Sequence, residues 1–247
     1  FFKDVKSEIV NGSTKDTKII NISVEEKPTG EITAGAGFGT TGSSFMVGVK
    51  ENNFLGKGIS LDSNLNLSSE SIKGLFKIEN RNYKNSDKSL FFTLDASETD
   101  RLTNSGYKFN RTGFDIGTSF EYYDDFYLKL GSSNYYERIE TDNTASARQQ
   151  SQEGDYIDLF INLRGTYDKR NQKFQTSEGF RNTFNASIPL ISETGTFSNN
   201  FSSTNYIEFF DQNILRSSIF FSSANSIKGE NIKLSERLNI PSSKLRG

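Results

Sequence analysis

Apolar and polar residues alternate along most of the chain after Gly30. The clearest segment is residues 155–167, in which one face carries Ile157, Leu159, Ile161 and Leu163, and the other carries Asp158, Asn162 and Arg164, with Phe160 among them. A period of two residues predicts β-strands with two different faces. The pattern predicts eleven strands, at about residues 31–40, 43–52, 59–68, 71–82, 88–98, 110–121, 126–137, 155–167, 179–190, 199–210 and 214–226.

The polar face of these strands favours a barrel over a packed sandwich. Burying Asp158 and Arg164 inside a soluble sandwich would be costly, whereas the inner face of a wide transmembrane barrel is wet.

The connections between strands also alternate in length, with near-side turns predicted at 53–58, 83–87, 122–125, 168–178 and 211–213. Far-side loops, which include all the longest ones, are predicted at 41–42, 69–70, 99–109, 138–154, 191–198 and from 227 onward. This asymmetry is typical of outer-membrane barrels.

Aromatic residues cluster near the predicted strand ends, as in the interfacial girdles of a membrane barrel. The clusters are Phe54; Tyr122, Tyr123, Phe126 and Tyr127; Tyr135 and Tyr136; and Phe209 and Phe210. Ordinary strand propensity also explains each cluster taken singly. Together with the loop asymmetry, they favour a membrane location.

The start of the chain differs from the rest. Two strands, Phe1–Val10 and Thr17–Glu26, flank the turn residues Asn11-Gly12-Ser13. Two strands alone are marginally stable, so we expect them to be the end of a domain that begins upstream. The first barrel strand then places Ile32, Ala34, Ala36 and Phe38 on one face and Gly35, Gly37 and Gly39 on the other. Glycine weakens a strand interior, so this strand is expected to be weak.

Composition narrows the function classes. The chain has 247 residues and a formal net charge of −2, which gives no reason to expect nucleic acid. It is 33% hydrophobic yet has 22 Phe and 10 Tyr, which suits a barrel with a polar lumen; an Asn- and Ser-rich soluble β protein is the alternative. Cysteine and histidine are absent. Because disulfides, thiolate sites and the usual general base are therefore excluded, we predict no enzyme activity, no catalytic residue, no cofactor and no metal site.

Four short motifs occur in order along the chain. They are Val24–Gly30 (VEEKPTG); Glu51–Gly58 (ENNFLGKG); Tyr167–Asn171 (YDKRN) with Thr176–Gly179 (TSEG); and Leu234–Arg237 (LSER) followed by Leu245–Gly247 (LRG). With these motifs the sequence resembles the BamA family of bacterial outer-membrane assembly factors, within the surface-antigen superfamily of POTRA-plus-barrel proteins. Leu238 departs from the family pattern, which often has paired aromatic residues after the arginine.

The resemblance implies an all-β fragment of two parts. Residues 1–28 would be the last strands of the last POTRA domain, a periplasmic polypeptide-binding module. Residues 29–247 would be the first part of a 16-stranded antiparallel transmembrane β-barrel, with eleven strands present and the chain truncated in the sixth outer loop. The implied function is assembly and insertion of β-barrel proteins into the bacterial outer membrane. The implied partners are unfolded barrel clients, lipoprotein subunits of the assembly machinery and outer-membrane lipid.

The resemblance also implies three functional elements. The lateral-gate strand carries Ile32, Ala34, Gly35, Ala36, Gly37, Phe38 and Gly39. The periplasmic turn is formed by Asn53, Phe54, Leu55 and Gly56, and the sixth-loop tip by Leu245, Arg246 and Gly247, with Arg246 expected to enter the lumen and pair with a wall carboxylate. The alternatives are a passive porin-like barrel whose selectivity is set by Arg164 and Asp158, a TamA-type transport barrel and a soluble β adhesion domain.

Overall fold

The computed structural model describes residues 2–14, 16–39, 42–210 and 213–238, and within these ranges the chain forms two antiparallel sheets. The small sheet pairs β1 (Phe2–Asn11) with β2 (Lys18–Glu26). The large sheet contains β3 (Gly30–Gly39), β4 (Gly42–Phe54), β5 (Ile59–Ser68), β6 (Ser71–Asn80), β7 (Ser89–Arg101), β8 (Tyr107–Tyr123), β9 (Phe126–Thr141), β10 (Gly154–Asp168), β11 (Gly179–Ile191), β12 (Thr196–Phe210) and β13 (Asn213–Ser226).

Each strand of the large sheet pairs with its neighbours in chain order, from β3 at one edge to β13 at the other. The prediction of an all-β chain with eleven consecutive antiparallel strands is confirmed. Two single-turn helices, α1 (Leu102–Ser105) and α2 (Ala147–Gln150), lie in the connections after β7 and β9. Over the described ranges, no helix is long and apolar enough to cross a membrane.

The large sheet buries polar residues and exposes apolar ones. Among the described residues, twelve polar or charged residues are buried, against six hydrophobic ones. On β10 the exposed fraction is 71% for Ile157 and 3% for Asp158, so the two faces predicted for this strand are confirmed. We call the face that carries Asp158 the lumen face and the opposite one the outer face. An apolar outer face around a polar interior is the arrangement of a barrel in lipid.

The lumen face is concave. One cavity of about 350 Å³ is lined by residues from six successive strands, β7 to β12, including Thr93, Asp115, Lys129, Arg164 and Asn200. Strands that lie side by side line a common cavity only when the sheet curves around it. The curvature therefore gives these strands a concave polar face.

On the lumen face of the central strands, an aromatic ring packs against two glycine residues. Gly117 lies opposite both Phe91 and Gly131 on the adjacent strands. A Cβ atom on Gly117 would lie 2.5 Å from Cζ of Phe91 and 2.7 Å from Cα of Gly131, so no larger residue fits there without a shift. Lys129 places its ammonium group 3.9 Å from the centre of the Phe91 ring. The ring is thus held between glycine and a cation.

The prediction that Tyr135 belongs to an aromatic girdle is wrong. Tyr135 covers Gly113 on the lumen face, with Arg111 3.5 Å from its ring centre, and its hydroxyl donates to Asp115 at 3.0 Å. It is therefore a lumen residue and not part of a girdle. At the near side, an aromatic cluster does form at the strand ends, where the ring centres of Tyr167 and Phe180 lie 5.5 Å apart.

The prediction about loop lengths is wrong in one respect. The near-side connection at residues 169–178 is longer than the far-side connections at 102–106 and 192–195, because β7, β8 and β12 extend into the predicted loops. The near-side connection is an ordered hairpin extension. Its backbone pairs Lys169 with Phe180 and Asn171 with Glu178, and the Asn171 side chain accepts from the amide of Ser177.

Candidate functional site

The predicted gate strand β3 is an edge strand of the large sheet. It pairs with β4 from Gly30↔Glu51 to Gly39↔Gly42, and on its other side no described strand is bonded to it. Its backbone therefore presents a row of N–H and C=O groups free of ladder partners in the described structure. Such an edge is a template for pairing with another strand.

The side chains of β3 leave this edge accessible. On the outer face, Ile32 and Phe38 are 79% and 89% exposed. On the lumen face, a Cβ atom on Gly35 would make only an ordinary contact, 3.9 Å from Cε of Met46. The glycine at this position is therefore not required by packing, unlike Gly117 in the central strands. Gly35 therefore adds no side-chain packing to the pairing of β3 with β4.

The predicted near-side turn is tightly bonded. The amide of Asn53 donates to the Glu51 carboxylate at 2.7 Å, and the Asn53 side chain accepts from the amide of Gly58 at 2.7 Å. Leu55 and Gly56 have positive φ values of 57° and 69°, which close the turn after Phe54, the last residue of β4.

The same turn is fastened to the chain that enters β3. The Thr29 hydroxyl donates to the Glu51 carboxylate, and the Thr29 carbonyl accepts from the Asn52 side chain at 3.1 Å. The near-side end of β3 is therefore fixed, while its free edge is not covered by a described strand.

A second cluster was not predicted from the sequence. Residues 227–238, which we call the lumenal strap, follow β13 and contact the lumen face of β9 and β10. Lys233, with 0% of its surface exposed, forms ion pairs with Asp158 of β10, with Glu137 of β9 at 3.4 Å and with Glu236 of the strap at 3.4 Å. Its ammonium group also lies 4.8 Å from the centre of the Tyr156 ring.

The charge of Lys233 is maintained by its neighbours. Burial by itself lowers the pKa of Lys233, but the Glu236, Asp158 and Glu137 carboxylates outweigh burial and raise this pKa above its ordinary value. The predicted loop tip, Leu245, Arg246 and Gly247, lies outside the described residues. Its expected lumenal partner therefore stays a prediction.

Comparisons with known proteins agree with this architecture. The family model described as the Omp85 superfamily domain matches residues 53–247. The structure is similar to that of BamA from Haemophilus ducreyi lacking POTRA domains 1–3, with 17% identity and a TM-score of 0.80 over 95% of this chain and 48% of that one. No curated protein matches the sequence.

Two further structures share the fold at a lower level. CdiB from Escherichia coli has 14% identity and a TM-score of 0.52 over 91% of this chain and 46% of that one. CdiB from Acinetobacter baumannii has 10% identity and a TM-score of 0.52 over 92% and 45%. The chain spans about half the length of these three relatives, and at such identities the likeness concerns the fold alone.

Proposed function

This chain belongs to the Omp85 superfamily of outer-membrane β-barrel proteins, and we propose that it assembles and inserts other β-barrel proteins into the bacterial outer membrane. The observation that carries the proposal is the state of β3. This strand is at a sheet edge, is rich in glycine, and is bonded on one side only among the described strands.

The proposed mechanism is β-augmentation. An unfolded client strand aligns with the free edge of β3, and its backbone N–H and C=O groups complete the ladder there. Unpaired backbone groups are expensive in lipid, so the client gains most by pairing at the point where it enters the membrane. Because Gly35 and Gly37 carry no side chain, the client meets little steric hindrance on the lumen face. No covalent bond is made or broken in this process.

The proposal extends to the periplasmic side. Residues 1–28 would be the end of the last POTRA domain, and the turn at Asn53–Gly56, bonded to Thr29, would fix the angle at which that domain meets the barrel. Unfolded barrel clients, lipoprotein subunits and outer-membrane lipid are the proposed partners. The register of β1 with β2, from Asn11↔Lys18 to Phe2↔Glu26, is compatible with such a domain end.

Site-specific photocrosslinking in the full-length protein tests the gate. A benzoyl-phenylalanine at Ala34 or Phe38 should capture nascent barrel proteins. The same probe at Ile157 is a matched control, because that residue is 71% exposed on the outer face of β10, a strand paired on both sides. Capture at Ile157 but not at Ala34 or Phe38 would contradict the proposal.

A passive or TamA-type transport barrel is the second candidate. The polar cavity next to Arg164 supports it, because such a lumen passes ions or polar solutes. Steady single-channel conductance that changes its ion selectivity in Arg164→Gln, without any assembly of client barrels, would favour this candidate.

A further inference from the structure

The lumenal strap, residues 227–238, is attached to the rest of the protein at several points. At the far side, the Gln152 amide binds the strap backbone twice, accepting from the amide of Leu234 at 3.0 Å and donating to the carbonyl of Ile232 at 3.1 Å. The Thr194 hydroxyl donates to Glu236 at 3.2 Å. These contacts involve both the connection after β9 and the connection after β11.

The strap covers part of the lumen. Ser235 and Glu236 line a second cavity of about 190 Å³, whose other walls include Arg111, Tyr135 and Asn162 on the lumen face. The Ser235 hydroxyl donates to Glu137 at 2.8 Å. The strap therefore lies over the central strands at the far-side end and forms one wall of this cavity.

We propose that Lys233 is the latch that keeps the strap closed over the lumen. The charges in this cluster are unbalanced, because one ammonium group faces three carboxylates. Glu137 and Asp158 lie on the wall, and Glu236 lies on the strap itself. One oxygen of Glu137 and one of Asp158 are buried and accept no hydrogen bond from the described residues. Among the described residues, the cluster therefore has an excess of negative charge that Lys233 alone offsets.

This imbalance of charge determines what happens when the ammonium group of Lys233 is removed. Without the ammonium group, Glu236 would face Glu137 and Asp158 at short range, and like charges in a buried site repel strongly. The repulsion acts between the strap and the wall, so it would drive the strap out of the lumen. Loss of a single wall carboxylate is much milder, because Lys233 keeps two partners.

Cysteine labelling and conductance of the full-length protein test the latch. Ser235→Cys is introduced as a reporter, since the 247 residues contain no cysteine, and its reaction with a membrane-impermeant maleimide is timed. Adding Lys233→Met should accelerate labelling about 100-fold and raise the conductance in planar bilayers. Lys228→Met is the matched control, because Lys228 lies on the same strap but binds only the Ser192 carbonyl, at 2.5 Å, in the described contacts. It should leave both readouts unchanged.

A charge rescue separates the latch from a general loss of packing. Glu236→Gln added to Lys233→Met removes the repulsion between strap and wall, so labelling should slow again by about tenfold. Labelling of Lys233→Met at the parental rate, equal effects of the two lysine substitutions, or no rescue would overturn the proposal.

Folding is monitored by the gel shift between heated and unheated samples. Should Lys233→Met fail to fold, the double variant Glu137→Gln, Asp158→Asn tests the latch instead. It removes the partners of Lys233 on the wall, while Lys233 keeps its ion pair with Glu236. Release of the strap is expected there too, and protection of the reporter thiol equal to that in the parent would contradict the latch. None of these readouts depends on client assembly.

Discussion

Replacement of Gly35 by alanine tests whether weakness of β3, the proposed gate strand, is functional. The backbone of Gly35 has no positive φ, and the added Cβ would lie 3.9 Å from Met46 Cε, so alanine fits without strain. A glycine in a strand interior costs about 0.5–1 kcal/mol relative to alanine. Gly35→Ala should therefore stabilise the pairing of β3 with β4 by about that amount. The population of molecules in which β3 has separated from β4 should fall about two- to fivefold.

Two measurements on the full-length protein in proteoliposomes report this change. Hydrogen exchange of the β3 amides should slow about two- to fivefold. If the weakness of β3 is functional, the rate at which a urea-unfolded client barrel acquires heat-resistant mobility on gels should fall in parallel, because a client that pairs with the free edge then meets a strand that separates from β4 less readily.

Gly74→Ala on β6 is the matched control. Its Cβ would also have room, 4.0 Å from the nearest atoms, but β6 is paired on both sides by β5 and β7. It should gain similar intrinsic stability without changing exchange in β3 or client assembly. The reasoning is refuted if Gly35→Ala leaves the exchange of β3 unchanged, or if both alanine variants slow client assembly equally.

Three further predictions concern the rest of the sheet. Gly117→Ala should lower the urea midpoint of unfolding by an amount equivalent to about 1–3 kcal/mol, because its Cβ would collide with Phe91 and the facing backbone. Arg170→Lys should cost about 1.5 kcal/mol in the same assay, since lysine loses the two-pronged bond of Arg170 to Asp168, with both contacts at 2.7 Å. The pKa of Lys233 is raised in the folded state, so the latch is fully present below the ordinary lysine pKa of 10.5 and is lost as the pH rises above it. Conductance should therefore stay low at neutral pH and increase only in that alkaline range.

Strand number and the orientation of side chains could be predicted from the sequence because both depend on local alternation. Alternation also predicts the orientation of Tyr135. This residue lies two positions from both Ser133 and Glu137, which are buried on the lumen face, so alternation alone places Tyr135 on that face. The preference of aromatic residues for membrane interfaces is the weaker signal at this position. A consistent strand period is stronger evidence of orientation than residue type.

The latch was beyond prediction because its contacts are remote in sequence. Lys233 meets Asp158 across 75 residues, and Ser235 meets Glu137 across 98. Such contacts depend on the curvature of the sheet and on the path of the strap after β13, and neither is encoded in a local pattern. The interlocking of Phe91 with Gly117 and Gly131 likewise needs the register of three strands at once.

The contrast between the glycines connects the two sites. In β8 and β9, Gly117 and Gly131 let the Phe91 ring settle against the backbone, so glycine there increases packing. In β3, Gly35 receives no such ring, so glycine there only removes contacts. The strap is latched to β9 and β10, within the well-packed part of the sheet, and makes no described ion pair or hydrogen bond with β3. Opening of β3 toward a client would therefore leave the latch intact, and the protein could pair strands at its edge while its lumen stays closed.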